Sequence, residues 1–327
     1  MSDNFWLMLG DCRQKLAEIG EGVVDVVITD PPYDLVSKTT GKGFMEAAWD
    51  STGVAFSTTI WKEVFRVLKP GAWIFVFGAT RTFHRMAVAV EDAGFEIRDT
   101  IHWTYIQGFP KSVNIALALD KAAGVQGHRG KRFALAGGDL PAPKSIPKHV
   151  PITDEAKKWD GWGTALRATH ELILVARKPL EGTLVESVQM HGTGALNVDA
   201  GQNSAGMWPT NSVFSCVCED DCLKSCPYQE MGMTKKQMCH SFPVFKMEKK
   251  PSGEEREDSV HPTMKPLSLM EWLVRISTRE GAVVLDPFMG SGTTGVAAVR
   301  LGRMFVGVEL VQGFFEDAQR RIEAANG

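Results

Sequence analysis

The chain has 327 residues, of which 44% are hydrophobic and 23% charged, with a formal net charge of −3. These fractions are ordinary for a soluble globular protein and exclude wholesale disorder or a collagen-like fibre. At about 150 residues per domain, the length predicts two domains or one core with a large insertion. No apolar run approaches the ~18 residues of a membrane helix, and the first residues do not resemble a secretory signal. We therefore expect a cytoplasmic protein with no membrane partner.

Short β-rich runs alternate with helical patterns over residues 1–105, which is typical of a parallel α/β sheet. The predicted elements are a strand over 23–29, a helix over 60–68, a strand over 72–77 and a helix over 82–93. Residues 106–165 lose this rhythm and are rich in Gly, Pro and basic residues. A core strand returns at 172–176, and residues 181–260 are again irregular.

The α/β pattern recovers over residues 261–327. The predicted elements there are a helix over 267–277, a strand over 283–285, a Gly-rich loop, a helix, a strand over 305–308 and a last helix over 314–325. Two α/β segments therefore flank an irregular middle, and we expect them to build one sheet.

A glycine-rich segment at 286–294 follows a predicted strand and opens a predicted helix. Gly290 and Gly292 let the backbone approach a ligand closely, and the helix N-terminus beyond them favours an anionic group. Glu309 ends the next strand, where a carboxylate can accept both hydroxyls of a ribose. The turn alone is also compatible with a purely structural role, but its acidic partner favours a nucleoside cofactor.

The sharper signal is Asp30-Pro31-Pro32-Tyr33, which directly follows the first buried strand. The two prolines stiffen the chain and hold the Asp30 carboxylate and the Pro31 carbonyl near one point. Two acceptors at one point can accept hydrogen bonds from both N–H groups of an exocyclic amine and leave its nitrogen lone pair free to attack. Tyr33 offers a flat face for stacking a base. The plain alternative is a strand ended by a Pro-Pro turn.

Two features of the irregular middle suggest further binding. Residues 121–150 contain six Lys or Arg residues but only one Asp. This surplus of positive charge can neutralise phosphates, although a solvated loop is the alternative. Five of the six cysteines lie within 216–239. Four of them supply enough thiolates for a structural zinc, although reduced thiols in a loop-rich subdomain are the alternative. These candidate ligands are Cys216, Cys218, Cys222 and Cys226.

Together these motifs resemble the amino-group DNA methyltransferases that use S-adenosylmethionine. Residues 30–33 (DPPY) are similar to the family's catalytic motif, and residues 286–294 (DPFMGSGTT) to its cofactor motif. The catalytic motif comes first, as in the permuted β group. Segments 9–12 (LGDC), 66–71 (RVLKPG) and 261–266 (HPTMKP) are similar to further motifs of that group.

The resemblance implies an α/β Rossmann-like methyltransferase fold, a circularly permuted mixed sheet with helices on both faces, plus an irregular target-recognition insertion. It implies S-adenosylmethionine as cofactor, DNA as partner and an assembly that can be a homodimer. The segments are then the catalytic half of the core over 1–105, a basic insertion over 106–165, a core strand over 166–180, a target-recognition and Cys-rich insertion over 181–260 and the cofactor-binding half over 261–327.

The same resemblance assigns roles to individual residues. The implied catalytic residues are Asp30, Pro31, Pro32 and Tyr33. The implied cofactor-binding residues are Asp11, Lys265, Asp286, Phe288, Gly290, Ser291, Gly292, Thr293 and Glu309. An Asp at the start of the catalytic motif favours N6 of adenine, in a base flipped out of the duplex, over N4 of cytosine. The alternatives are an N4-cytosine methyltransferase and a catalytically silent DNA-binding module of the same fold.

Overall fold

The structure, a computed structural model, describes residues 4–35, 51–105, 112–125, 128–132, 147–166, 168–203, 205–216, 234–246 and 264–326. The chain divides into two compact units. One, which we call the sheet unit, comprises 1–104, 171–217 and 240–327; the other, the insert unit, comprises 105–170 and 218–239. Within the described ranges, no helix is long and apolar enough to cross a membrane.

The sheet unit is built on nine described strands, which are β1 (Phe5–Leu9), β2 (Val24–Thr29), β3 (Leu68–Gly78), β4 (Glu96–Thr104), β7 (His170–Arg177), β8 (Ser212–Cys216), β9 (Val244–Lys246), β10 (Val283–Asp286) and β11 (Met304–Glu309). Their spatial order is β1-β11-β10-β2-β3-β7-β4-β8-β9. The first five in the spatial order are mutually parallel, whereas β7 is antiparallel to β3. Strands from both ends of the chain therefore lie side by side in one mixed sheet.

Ten helices occur among the described residues, and they are short apart from the last. They are α1 (Cys12–Lys15), α2 (Thr58–Val67), α3 (Phe83–Asp92), α4 (Ile115–Ala122), α5 (Asp154–Lys158), α6 (Leu184–His191), α7 (Lys235–Ser241), α8 (Leu267–Ser277), α9 (Thr293–Arg300) and α10 (Gln312–Asn326). In α2, Ile60, Trp61, Val64 and Val67 recur at helical spacing and are all buried, so one apolar face packs on the core. All the elements predicted over 23–93 and 261–327 are present, with ends shifted by a few residues.

The sheet places several strand ends at one edge. Strands β2, β10 and β11 are parallel neighbours, so their last residues Thr29, Asp286 and Glu309 lie at the same edge. Strand β7 runs the other way, with Leu172 opposite Gly78, so the start of β7 meets the end of β3. The carboxyl edge of a parallel sheet is where open α/β folds bind ligands.

The described part of the insert unit contains a two-stranded antiparallel sheet, β5 (His128–Arg132) with β6 (Pro147–Val150), and helices α4 and α5. Its buried centre is Asp120, whose carboxylate accepts from the Thr153 hydroxyl at 2.7 Å and from the backbone N–H groups of Ile152 and Thr153. His149 completes the set through Nε2 at 2.7 Å. Burial alone would raise the pKa of Asp120, but these hydrogen bonds have the larger effect and hold that pKa below its usual value, so the carboxylate stays ionised. A fully bonded carboxylate of this kind stabilises the unit.

Candidate active site

Four residues from three separate segments meet at the carboxyl edge of the sheet, and we call them the Lys265 cluster: Asp30, Tyr33, Glu171 and Lys265. The ammonium of Lys265 donates to Oδ2 of Asp30 and lies 3.3 Å from Oε2 of Glu171. It is also 3.3 Å from the hydroxyl oxygen of Tyr33, which donates to the same Glu171 oxygen at 2.7 Å. One ammonium is therefore shared between two carboxylates.

The electrostatics of the cluster fix its charge state. Burial alone lowers the pKa of Lys265, but the carboxylates of Asp30 and Glu171 outweigh it and raise that pKa above its usual value. Burial and the same two carboxylates raise the pKa of Tyr33 well above 10.0. At neutral pH Lys265 is therefore a cation and Tyr33 a neutral phenol that can donate a hydrogen bond.

The second carboxylate oxygen of Asp30 has a different environment. Oδ1 is buried and accepts no hydrogen bond from any part of the chain that the structure describes. A buried oxygen without a partner costs free energy, which a donor group on a ligand would recover. The segment after Asp30 is held in place, because the Thr82 hydroxyl donates to the carbonyl of Tyr33 at 2.9 Å. Next to it, Asp34 has a φ of 49°, in the left-handed region that residues other than glycine rarely adopt.

Asp286 joins the end of β10 to the end of β2. Its Oδ1 accepts from the Thr29 hydroxyl at 2.6 Å and from the Phe288 N–H at 3.1 Å, and its Oδ2 accepts from the Thr294 hydroxyl at 2.8 Å. Burial nevertheless raises its pKa to about 6. Because Thr29 immediately precedes Asp30, the hydrogen bond from Thr29 brings the glycine-rich turn next to the Lys265 cluster.

The glycine-rich turn depends on the backbone conformations of its two glycines. Gly290 and Gly292 have φ values of 53° and 73°, in the left-handed region that favours glycine, and Gly292 caps α9. The carboxylate of Glu309 fixes the turn, with one oxygen accepting from the Gly290 N–H and the other from the Val311 N–H, both at 2.8 Å. Burial raises the pKa of Glu309 above its usual value. Ser291 and Thr293 are buried within the same turn.

Asp11 lies beside this turn at the end of β1. The N–H of Gly10 donates to the Glu309 carbonyl at 2.8 Å, which ties the two neighbouring strand ends together. Asp11 caps α1 by accepting from the Arg13 N–H at 2.9 Å. The hydrogen bond from the Arg13 side chain, opposed in part by burial, lowers the pKa of Asp11. Asp11, Asp286, Gly290 and Glu309 thus lie on three adjacent strand ends.

The remaining sequence-predicted residues are Lys265 and the four cysteines of the predicted zinc site. Lys265, which the resemblance assigned to the cofactor, contacts Asp30 of the catalytic motif, and its role toward the cofactor stays a prediction. Cys216 ends β8, whereas Cys218, Cys222 and Cys226 lie outside the described residues, so the zinc site stays a prediction. Among the described residues, no group of three or more His, Cys, Asp or Glu could hold a metal ion.

Sequence reasoning missed Glu171, Thr29 and Thr294. A charged residue at the start of the buried run over 172–176 was a signal for Glu171, since a carboxylate there needs a partner. Thr294 lies within the cofactor motif at 286–294, whereas Thr29 carried no local signal, because its partner Asp286 is remote in the sequence and is reached through the fold.

Comparison with known proteins agrees with the fold and the motifs. The family model of the DNA methylases matches residues 24–320. The type II methyltransferase M.HindIII of Haemophilus influenzae is 29% identical over 266 residues, 80% of this chain and 66% of that protein. M2.DpnII of Streptococcus pneumoniae is 52% identical over 66 residues, 20% of this chain and 25% of that protein. The chain thus spans about two thirds of the length of the first relative.

A solved structure gives the same picture of the fold. The cytosine-N4-specific PvuII DNA methyltransferase superposes with a TM-score of 0.55 at 16% identity, covering 98% of this chain and 87% of that one. This likeness confirms the predicted fold class, a mixed α/β sheet flanked by helices in the Rossmann-like manner of DNA methyltransferases. Because the family model spans most of its length, the chain belongs to the DNA methylase family.

Proposed function

We propose that this protein transfers the methyl group of S-adenosylmethionine to the N6 amine of adenine in DNA. The observation that carries the proposal is the buried, unpartnered Oδ1 of Asp30, which lies in the DPPY segment beside the glycine turn. Such an oxygen suits an amine N–H, which is the donor that the reaction must bind. Membership of the DNA methylase family supports the same activity.

The residues at the three strand ends fit the cofactor. The left-handed conformation of Gly290 lets the turn fold back so that its N–H meets the Glu309 carboxylate, where a nucleoside would lie. Both oxygens of Glu309 are fixed by backbone N–H groups, and each keeps a lone pair for a ribose hydroxyl. When bound, the cofactor supplies an electrophilic sulfonium methyl group. The residues that would hold it are Asp11, Asp286, Phe288, Gly290, Ser291, Gly292, Thr293 and Glu309.

The chain's own residues would then act on the amine. Oδ1 of Asp30 and the carbonyl of Pro31 would accept hydrogen bonds from the two N–H groups of the amine. These hydrogen bonds draw the nitrogen lone pair out of conjugation with the ring and orient it for attack. The same two acceptors stabilise the positive charge that grows on nitrogen. Pro32 stiffens the segment, and the ring of Tyr33 stacks on the base. Methyl transfer would form the N–C bond as the S–C bond breaks and leave the cofactor as a neutral thioether, after which the surplus proton on nitrogen would pass to solvent.

DNA must be distorted for this to happen. An adenine inside a duplex cannot reach an amine site at a sheet edge, so the base is flipped out and held against Tyr33. The basic segment within 106–165 and the segment over 181–260 would neutralise phosphates and read the target. The homodimer and the cytoplasmic location remain expectations.

Mass spectrometry of nucleosides from plasmid DNA treated with the protein and S-adenosylmethionine tests the activity. We expect N6-methyladenine. N4-methylcytosine alone would establish the cytosine alternative, and DNA that stays unmodified would favour the silent DNA-binding module.

Replacing the acceptor itself tests the mechanism. Asp30→Ala should retain cofactor binding but lose at least about 10²-fold in rate, because one transition-state hydrogen-bond partner is gone. Asp92→Ala removes an exposed aspartate at the end of α3 and serves as the control, with no expected loss. Near-normal turnover by Asp30→Ala would contradict the role of Asp30.

A further inference from the structure

Glu171, at the start of β7, belongs to the Lys265 cluster, and no motif assigned a role to it. It lies on the antiparallel strand next to β3, where Leu172 pairs with Gly78, so its backbone is anchored at the active edge of the sheet. Its side chain is 20% exposed and touches two residues of the Lys265 cluster. The inference below rests on the proposed function of that cluster.

The contacts of Glu171 restrain two different groups. Its Oε2 accepts from the Tyr33 hydroxyl at 2.7 Å, which fixes the ring proposed to stack on the base. The same oxygen lies 3.3 Å from the ammonium of Lys265. That ammonium is confined further by the rings of Tyr33 and Phe77, whose centroids are 5.5 and 5.1 Å away. Glu171 is thus a counter-charge to Lys265 as well as an anchor for Tyr33.

This arrangement decides which oxygen of Asp30 is available. Lys265 donates to Oδ2 and leaves Oδ1 without a partner in the described structure. A lysine ammonium has three N–H donors and is attracted to any nearby carboxylate oxygen. Without Glu171, Asp30 is the one carboxylate within ion-pair distance of Lys265 in the described ranges. The ammonium would then be free to move toward Oδ1 and compete with the amine of the base.

We propose that Glu171 is a positioning residue that holds Lys265 on Oδ2 of Asp30 and orients Tyr33, so that Oδ1 stays open for the target amine. It acts through its neighbours and need not touch the substrate. Removal of its charge should therefore slow methyl transfer while leaving the binding of cofactor and DNA intact.

Glu171→Gln is the direct test, because glutamine still accepts from Tyr33 but has no charge to hold Lys265. We expect kcat for DNA methylation to fall about 10²-fold, the cost of misplacing a reacting group by about 1 Å. The KM for DNA, the Kd of S-adenosylmethionine and the melting temperature should not change. Glu96→Gln is the matched control: Glu96 pairs at 2.7 Å with Arg177 at the other end of β7, and its loss should leave kcat unchanged.

A double-mutant cycle with Lys265→Met separates positioning from a general structural role. If Glu171 acts by restraining the ammonium, then Glu171→Gln should cost little once that ammonium has been removed. Should Glu171→Gln fail to fold, Glu171→Asp serves instead, because its charge is one methylene further from Lys265 and kcat should again fall selectively.

Two results would overturn the inference: wild-type kcat in Glu171→Gln, or losses that are additive with those of Lys265→Met. The wild-type protein is assayed alongside, and its failure to methylate DNA would refute the proposed function instead.

Discussion

The buried carboxylate of Asp286 should make the stability of this protein depend on pH in an unusual direction. Asp286 is 2% exposed, and burial raises its pKa from the ordinary 3.8 to about 6, although three hydrogen bonds oppose the change. A carboxyl group whose pKa is raised by folding binds its proton more tightly in the folded state. Its contribution to stability is therefore fully present below pH 3.8 and is lost as the pH rises through about 6.

The size of the effect follows from the two pKa values. A difference of about two units, at about 1.4 kcal/mol per unit, corresponds to about 3 kcal/mol in the free energy of unfolding. Asp286→Asn removes the titration while keeping a side chain of the same shape. The hydrogen bonds that the asparagine cannot make lower the free energy of unfolding by the same amount at every pH. The difference between the two proteins that varies with pH therefore reports the titration of the Asp286 carboxyl group alone.

Urea unfolding followed by tryptophan fluorescence, with both proteins at a series of pH values, measures this difference. The stability of the wild type relative to Asp286→Asn should fall by about 3 kcal/mol from the acidic limit to neutral pH, with most of the change between pH 4 and 6. Other titrating groups are common to both proteins and cancel. Parallel curves would show that Asp286 titrates normally and would refute the argument from burial.

Two further predictions concern stability. Gly292→Ala should lower the free energy of unfolding by about 2–4 kcal/mol, since φ is 73° and the new Cβ would lie 2.8 Å from Cβ of Ala318. The control Gly281→Ala, with φ of 74° and open space around it, should lower that free energy by only about 1–2 kcal/mol. Equal losses for the two variants in urea unfolding would contradict the packing argument. Asp120→Asn should destabilise the insert unit by about 1–3 kcal/mol through its lost charge-assisted hydrogen bonds. Amide hydrogen exchange at Ile152 should accelerate while that of β2 and β3 does not, and an unchanged rate at Ile152 would contradict this.

The sequence predicted the centre of the sheet well because its strands are buried on both faces. Strands β2, β3, β10 and β11 are mostly apolar and mostly buried, and the helices between them show one buried face. Strand β1 was missed because it is the outermost strand of the sheet, where Trp6 and Leu9 are exposed and the apolar run has no polar alternation. Half-exposed β4 and short β8 and β9 gave equally weak patterns.

Helix α6 was overlooked within a stretch interpreted as irregular. Its signal was present: Thr183 and Glu186 form a capping box, and Gly192 ends the helix with φ of 73°. The glycines and asparagines that follow masked it.

The candidate site was only partly predictable. DPPY and the glycine turn were recognisable because each is a contiguous motif. The Lys265 cluster was not, since Tyr33, Glu171 and Lys265 are far apart in the sequence and meet only because antiparallel β7 starts at the carboxyl edge of the sheet. For the same reason the contact of Lys265 with Asp30 could not be read from its motif.

A crystal structure with S-adenosylhomocysteine and a short DNA duplex would test the central claim most directly. The account predicts an adenine outside the duplex, with its N6 about 3 Å from Oδ1 of Asp30 and its ring against Tyr33. Oδ2 should still accept from Lys265 in that complex. A target amine bound away from Asp30, or a Lys265 ammonium seated on Oδ1, would contradict it.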